Sequence, residues 1–118
     1  MEKLTNKEEQ IMQVIWKLEK AFVKDIMAEL TDEDIHYNTL STIVRNLEEK
    51  KYVGYQAYGK THQYFPLIKL TDYRNKFMAK AVDAFFKGSY LDVVSHFAKE
   101  EKISAQELEE ILKMIEKK

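Results

Sequence analysis

The segment from His36 to Lys51, HYNTLSTIVRNLEEKK, constrains the fold more than any other stretch, because its residues sort onto two opposed helical stripes of unlike chemistry. Leu40, Ile43, Val44 and Leu47 recur at i, i+3, i+4 and i+7, the spacing that puts side chains on one face of an α-helix. Asn38, Ser41, Thr42 and Arg45 repeat that spacing on the other side. A helix face meant only for water is usually filled with strong helix formers such as Lys, Glu and Gln. Asn, Ser and Thr instead compete with the helix for backbone hydrogen bonds, so helix stability does not account for them. Short donor/acceptor groups beside one fork-shaped cation suit base edges and phosphates in a DNA major groove. One side of this helix is therefore expected in a core, and the other open as a DNA recognition surface.

The flanking sequence supplies a setting for such a helix. Thr5 heads the capping-box pattern T-x-x-E with Glu8, and Ile11, Met12, Val14, Ile15 and Leu18 give a helical stripe ending near Lys20, with Trp16 beside it. Ala21 and Phe22 read as a short extended link before a second helix over Val23 to Leu30, with Ile26, Met27 and Leu30 facing inward. Thr31-Asp32-Glu33-Asp34 is an acidic turn. After Lys51 the period changes. Tyr52 to Ala57 and His62 to Phe65 are runs rich in aromatic and β-branched residues around the turn Tyr58-Gly59-Lys60-Thr61, which predicts a β-hairpin closed by Pro66. Three helices followed by a two-stranded ribbon make a winged helix-turn-helix, expected over residues 1–68.

From Thr71 the pattern is helical throughout. Tyr73, Phe77, Ala81, Ala84 and Phe85 mark a long amphipathic helix stopped by Gly88; Tyr90, Leu91, Val94, Phe97 and Ala98 mark a second. Ser104 opens a capping box with Glu107, and Leu108, Ile111, Leu112 and Ile115 complete a third. A tail this short cannot hide such aromatic stripes by itself. The fold class is thus mainly α, a winged helix with a C-terminal three-helix dimerisation region over 69–118. The expected interface residues are Tyr73, Phe77, Phe85, Tyr90, Leu91, Val94, Phe97, Leu108, Ile111, Leu112 and Ile115.

Composition narrows the function. With no cysteine, disulfides and thiolate metal sites are excluded, and His36, His62 and His96 fall on separate elements without metal-ligand spacing. No nucleophile–base set, glycine-rich phosphate loop or paired catalytic carboxylates stand out, so neither an enzyme nor a cofactor is expected. No apolar run approaches the ~20 residues of a membrane span, and MEKLTNKEEQ lacks a signal-peptide core; the expected location is the cytoplasm, without stable membrane association. The net charge of −1 is low for a nucleic-acid binder. Locally the balance differs: between Ile35 and Pro66 stand Arg45, Lys50, Lys51 and Lys60 against only Glu48 and Glu49, while Glu8, Glu9, Asp32, Glu33 and Asp34 lie outside the expected contact surface. That distribution implies modest affinity per subunit, which dimerisation would remedy.

The expected DNA contacts are Asn38, Thr39, Ser41, Thr42, Arg45 and Asn46 on the helix and Lys60, Thr61 and His62 on the wing. Arg45 suits a bidentate contact to guanine, Asn38 to adenine, and the hydroxyls and Lys60 to phosphate. Two other readings stay open at this level: a winged-helix module that binds protein, encouraged by the near-neutral charge, and a ligand-responsive regulator with an effector pocket in the tail.

The order of these elements resembles the penicillinase-repressor (BlaI/MecI/CopY) family of bacterial transcription regulators over nearly the whole chain. The residues that carry the resemblance are Glu8 with IMQVIW ending at Trp16, NTLSTIVRNLEEKKYVGY, the strand HQYFPLI, and Tyr73 followed by FFKGSYLDVVSHFAKEEKIS. The resemblance implies a homodimeric repressor on a palindromic operator. It also implies release by cleavage within the second tail helix, triggered by a membrane-bound sensor metalloprotease pathway, at the bond matching His96–Phe97. The chain departs from the family pattern at His96, where Asn is usual, and at Asn46, where many relatives carry the Arg found here at Arg45. The cysteine-rich copper switch of one branch has no counterpart.

Overall fold

The computed structural model describes residues 2–31 and 34–117. Helix α1 (Asn6–Leu18) begins at the expected capping box: Thr5 Oγ1 accepts from the Glu8 amide at 3.1 Å, and the Thr5 amide donates to Glu8 Oε1 at 2.8 Å. Helix α2 (Val23–Glu29) follows a link in which Ala21 forms an antiparallel bridge to Tyr64. Its core positions are Val23 and Ile26, with Leu30 just beyond its end, and Met27, expected to face inward, is 36% exposed at the rim. Seven residues make barely two turns, and the ~100° step past Ile26 carries Met27 off a stripe that Val23, Ile26 and Leu30 already fill. Of the acidic turn, Asp32 and Glu33 lie outside the described residues.

Helix α3 (Tyr37–Glu49) buries Leu40, Val44 and Leu47 completely, with Ile43 packed at the core's edge. It ends in a Schellman motif built without glycine. Lys51 takes the left-handed conformation at φ +67°, the Tyr52 amide donates to Leu47 O at 2.9 Å, and the Lys51 amide donates to Glu48 O at 3.0 Å. Strands β1 (Val53–Tyr58) and β2 (Thr61–Pro66) pair antiparallel from Val53↔Pro66 to Tyr58↔Thr61. Gly59, at φ +63°, takes the first central position of the two-residue loop, where a type II′ turn uses glycine. At Gly54 a Cβ would come within 3.0 Å of the Phe65 ring, so the glycine admits that ring against the strand.

One core unites these elements. Ile11, Met12 and Ile15 of α1 meet Ile26, Leu40, Val44, Leu47, Tyr52, Val53 and Tyr64. The N-terminal arm is tied in by an ion pair of 2.7 Å between Lys50 Nζ and the buried Glu8 Oε1, while the same ammonium donates to Lys3 O at 3.1 Å. The result is a winged helix: α2 and α3 form the helix-turn-helix and β1–β2 the wing.

Helix α4 (Leu70–Phe86) starts on this unit. Tyr73 packs against Trp16 with ring centroids 5.3 Å apart and against Tyr52 at 6.1 Å, and its hydroxyl donates to Glu9 Oε2 at 2.8 Å. The chain divides into two compact units between Tyr73 and Arg74, inside α4, where the sequence pattern suggests a division before it. In the second unit α5 (Tyr90–Lys99) is capped by Ser89, whose Oγ accepts from the Asp92 amide at 3.1 Å. Helix α6 (Ala105–Glu116) carries the expected Ser104–Glu107 capping box. Gly88 has φ +82° after the end of α4, as its role of helix stop requires. Among the described residues of α4–α6 only Val82 is buried. No helix among the described residues is long and apolar enough to cross a membrane.

Candidate nucleic-acid interface

The core stripe of α3 fixes the helix by one side and leaves the other to solvent. Asn38, Thr39, Thr42, Arg45 and Asn46 are exposed and Ser41 is half-buried. Thr42 Oγ1 donates back to Asn38 O at 3.0 Å, so its hydroxyl proton is spent within the helix while the side chain stays exposed. His36, the N-cap, makes no side-chain capping bond, and the first turn holds no acid; the amides there are left for an outside acceptor.

The wing folds toward this face. Phe22, Val23 and Lys24 at the start of α2, Tyr37, Ser41 and Arg45 of α3, and Lys60, Thr61, His62 and Tyr64 of the wing line one open cleft of about 300 Å³. Five sequence-expected contacts therefore meet in one place: Ser41, Arg45, Lys60, Thr61 and His62. Asn38, Thr39, Thr42 and Asn46 lie on α3 outside the cleft, still exposed. The cleft lining contains three permanent cations and no carboxylate, in a chain whose net charge is −1. Burial pushes the Tyr64 phenol above its usual range, with Glu48 adding to the rise and Arg45 opposing it, so this residue stays a neutral hydrogen-bonding group in the floor.

Aromatic contacts fix the wing. The Tyr55 and His62 rings stack with centroids 4.1 Å apart and 8° between planes, and Tyr58 meets Phe22 edge-on at 5.8 Å. Backbone bonds join Ala21 to Tyr64 in both directions, at 2.9 and 2.7 Å. Phe22, Lys24 and Tyr37 line the cleft without a signal in the sequence. Lys24 sits on a short helix with no polar stripe, and the approach of the wing brings it into the cleft.

In the tail, the interface expected from sequence is mostly open. Phe85 is 80% and Leu91 74% exposed; Phe77, Tyr90, Val94, Phe97, Ile111, Leu112 and Ile115 are exposed too, as are Met78 and Met114, and Leu108 is half-buried. Tyr73 is the difference, since its ring and hydroxyl are engaged within the N-terminal unit. His96 and Phe97 lie on α5, their rings 5.3 Å apart, with Phe86 at 5.7 Å from His96. Among the described residues no group of three or more His, Cys, Asp or Glu could hold a metal ion.

A helix-turn-helix with a wing, presenting an uncapped polar helix face beside an acid-free cationic cleft, defines a DNA-binding protein of the winged-helix class. The comparisons with known proteins make the family definite. The family model described as penicillinase repressor matches residues 4–117, and the chain belongs to that family of transcriptional repressors. It is 25% identical over 116 residues to the methicillin resistance regulatory protein MecI of Staphylococcus aureus (strain N315), covering 98% of this chain and 94% of that protein. It is 23% identical over 114 residues to the penicillinase repressor of Bacillus licheniformis, covering 96% and 89%. The solution structure of the DNA-binding domain of the repressor BlaI matches 62% of this chain and 94% of that domain with a TM-score of 0.53 and 26% identity.

Proposed function

We propose that the chain represses transcription as a homodimer on a palindromic operator and that proteolysis in the tail relieves it. The observation that carries the reading is the exposed Asn38–Arg45 side of α3 opening beside the Lys60–His62 end of the wing. In a two-fold dimer, two such helices enter major grooves about one helical turn apart, or a multiple of it. Arg45 reads guanine, Asn38 adenine, and Thr39, Ser41 and Lys60 hold phosphate. The exposed faces of α4, α5 and α6 supply the apolar surface for pairing: burying each large side chain contributes about 1.5–3 kcal/mol, so several together can exceed the cost of association.

Release follows from the same surface. A cut at His96–Phe97 would divide α5, the element that carries Tyr90, Leu91, Val94 and Phe97. The agent would belong to a pathway started by a membrane sensor metalloprotease. No residue of α5 is buried within its own unit, so unwinding it for a protease costs little beyond what dimer contacts add.

Selection of duplexes from a random-sequence pool by the full chain tests the reading. It should enrich inverted repeats whose binding falls steeply with salt. Enrichment of nothing, with salt-insensitive capture of a protein partner instead, would favour the protein-interaction module and end this reading.

A further inference from the structure

Resting on that reading, we infer that Lys24 is a second phosphate anchor, set by Phe22 and Tyr58 so that the protein grips the DNA backbone from α2 as well as from the wing. Lys24 and Lys60 belong to different elements yet line the same cleft, which Arg45 of α3 lines as well. Among the described residues neither Lys24 nor Lys60 is ion-paired with a carboxylate, whereas Lys17 is tied to Glu29 at 2.7 Å and Lys50 to Glu8 at 2.7 Å. A cation with no carboxylate partner among the described residues, in a cleft whose lining holds no acid, is free to neutralise an external anion.

The lysine is also oriented. Its Nζ stands 6.0 Å from the centroid of the Phe22 ring, and that ring is met edge-on by Tyr58 of the wing at 5.8 Å. Phe22 is thus a positioning residue: it links the wing to α2 and carries Lys24 on its face. A repeating polyanion fits this arrangement better than a small anion does, because the cations are spread over α2, α3 and the wing and no buried polar side chain converges on one point.

The test uses the full chain, a duplex selected by the wild type, and random-sequence duplex DNA. A contact to one phosphate in each subunit adds about 0.9 to the salt slope, so a dimer of Lys24→Gln should have a slope shallower by about 1.8. Between 50 and 200 mM salt the wild type should then lose about tenfold more affinity than the variant. Both duplexes should weaken by the same factor, since phosphate contacts carry no sequence information. Phe22→Leu, with its thermal midpoint checked, should show part of the same slope change. Lys17→Gln should keep the wild-type slope. An unchanged slope in Lys24→Gln, or a changed sequence preference, overturns the inference and leaves operator binding standing. A wild-type chain whose binding ignores salt would instead refute operator binding itself.

Discussion

Replacing Lys50 by methionine should cost the N-terminal unit about 2–3 kcal/mol at neutral pH. Lys50 caps the C-terminal end of α3 and bonds Glu8 Oε1 at 2.7 Å, and its side chain is 21% exposed against 5% for that of Glu8. Removing one partner of a fully buried pair costs about 3–5 kcal/mol, because the other charge is stranded. Here the ammonium is partly wet and the Thr5 amide remains as a donor to the carboxylate, so the cost falls at or somewhat below the lower end of that range. The pH dependence separates this cause from lost packing. Burial alone would raise the Glu8 pKa, but the hydrogen bonds and charge of Lys50 and the Thr5 bonds outweigh it, and the group lies below its ordinary 4.5. A lowered folded pKa contributes stability above about 4.5 that fades as pH falls through the folded value. Lys50→Met lacks most of that contribution, so its deficit should be full at pH 7 and shrink in acid. Urea unfolding of Lys50→Met, Glu8→Gln and the double variant at pH 7 and in the carboxylate range measures both quantities. A Lys50→Met deficit under about 0.5 kcal/mol at pH 7, or one that does not change with pH, would refute the reasoning.

Further perturbations address the DNA face and the tail. Arg45→Ala should weaken binding to a selected duplex by about 1–3 kcal/mol in gel shifts and relax preference at one position of each half-site; unchanged affinity would remove Arg45 from base readout. Phe97→Asp and Leu108→Asp should each sediment as monomers with poor duplex affinity, and intact dimers in both would count against the tail as the interface. Lys51→Gly should stabilise the N-terminal unit by about 0.5–1 kcal/mol in thermal unfolding, because the left-handed cost of a side chain at φ +67° exceeds the entropy that glycine adds to the unfolded chain. A lower midpoint would show that Lys51 has a stabilising contact outweighing its backbone strain.

Local chemistry made most of the fold legible. The two capping boxes, the apolar stripe of α3 and the Gly59 turn depend on residues a few positions apart, and each forms where its spacing places it. What the pattern does not show comes from long-range packing. Tyr73 shares a helical stripe with Phe77 and reads as tail, yet Glu9, Trp16 and Tyr52 claim it for the N-terminal unit, with the Trp16 indole N–H donating to Ile68 O at 2.9 Å just before α4. Lys51 shows another limit. The sequence offers no glycine at the position just past the end of α3, and Leu47 and Tyr52, both buried, hold the helix end in a conformation that lysine alone disfavours. Lys24 had no local signal, because its neighbours in the cleft come from α3 and the wing.

The near-neutral charge loses its force as an objection once the acids are located. Binding responds to the field where DNA lies, within about a Debye length, and less to the sum over the chain. Glu8 is buried and paired with Lys50, Glu29 is paired with Lys17, and Glu9 accepts from Tyr73; no carboxylate lines the cleft, and Glu48, near enough to act on Tyr64, is offset there by Arg45. Few cations per subunit would give a weak single grip, which pairing through the tail would strengthen. If the tail pairs, the second half-site binds at an effective concentration set by the first, a gain of about 10²–10⁴ without a new contact. A repressor built this way would be released by breaking the pair, with its DNA face untouched. Regulation would then act on the exposed apolar faces of α4–α6, and substitutions that alter the response to an inducer should fall there more often than on α3.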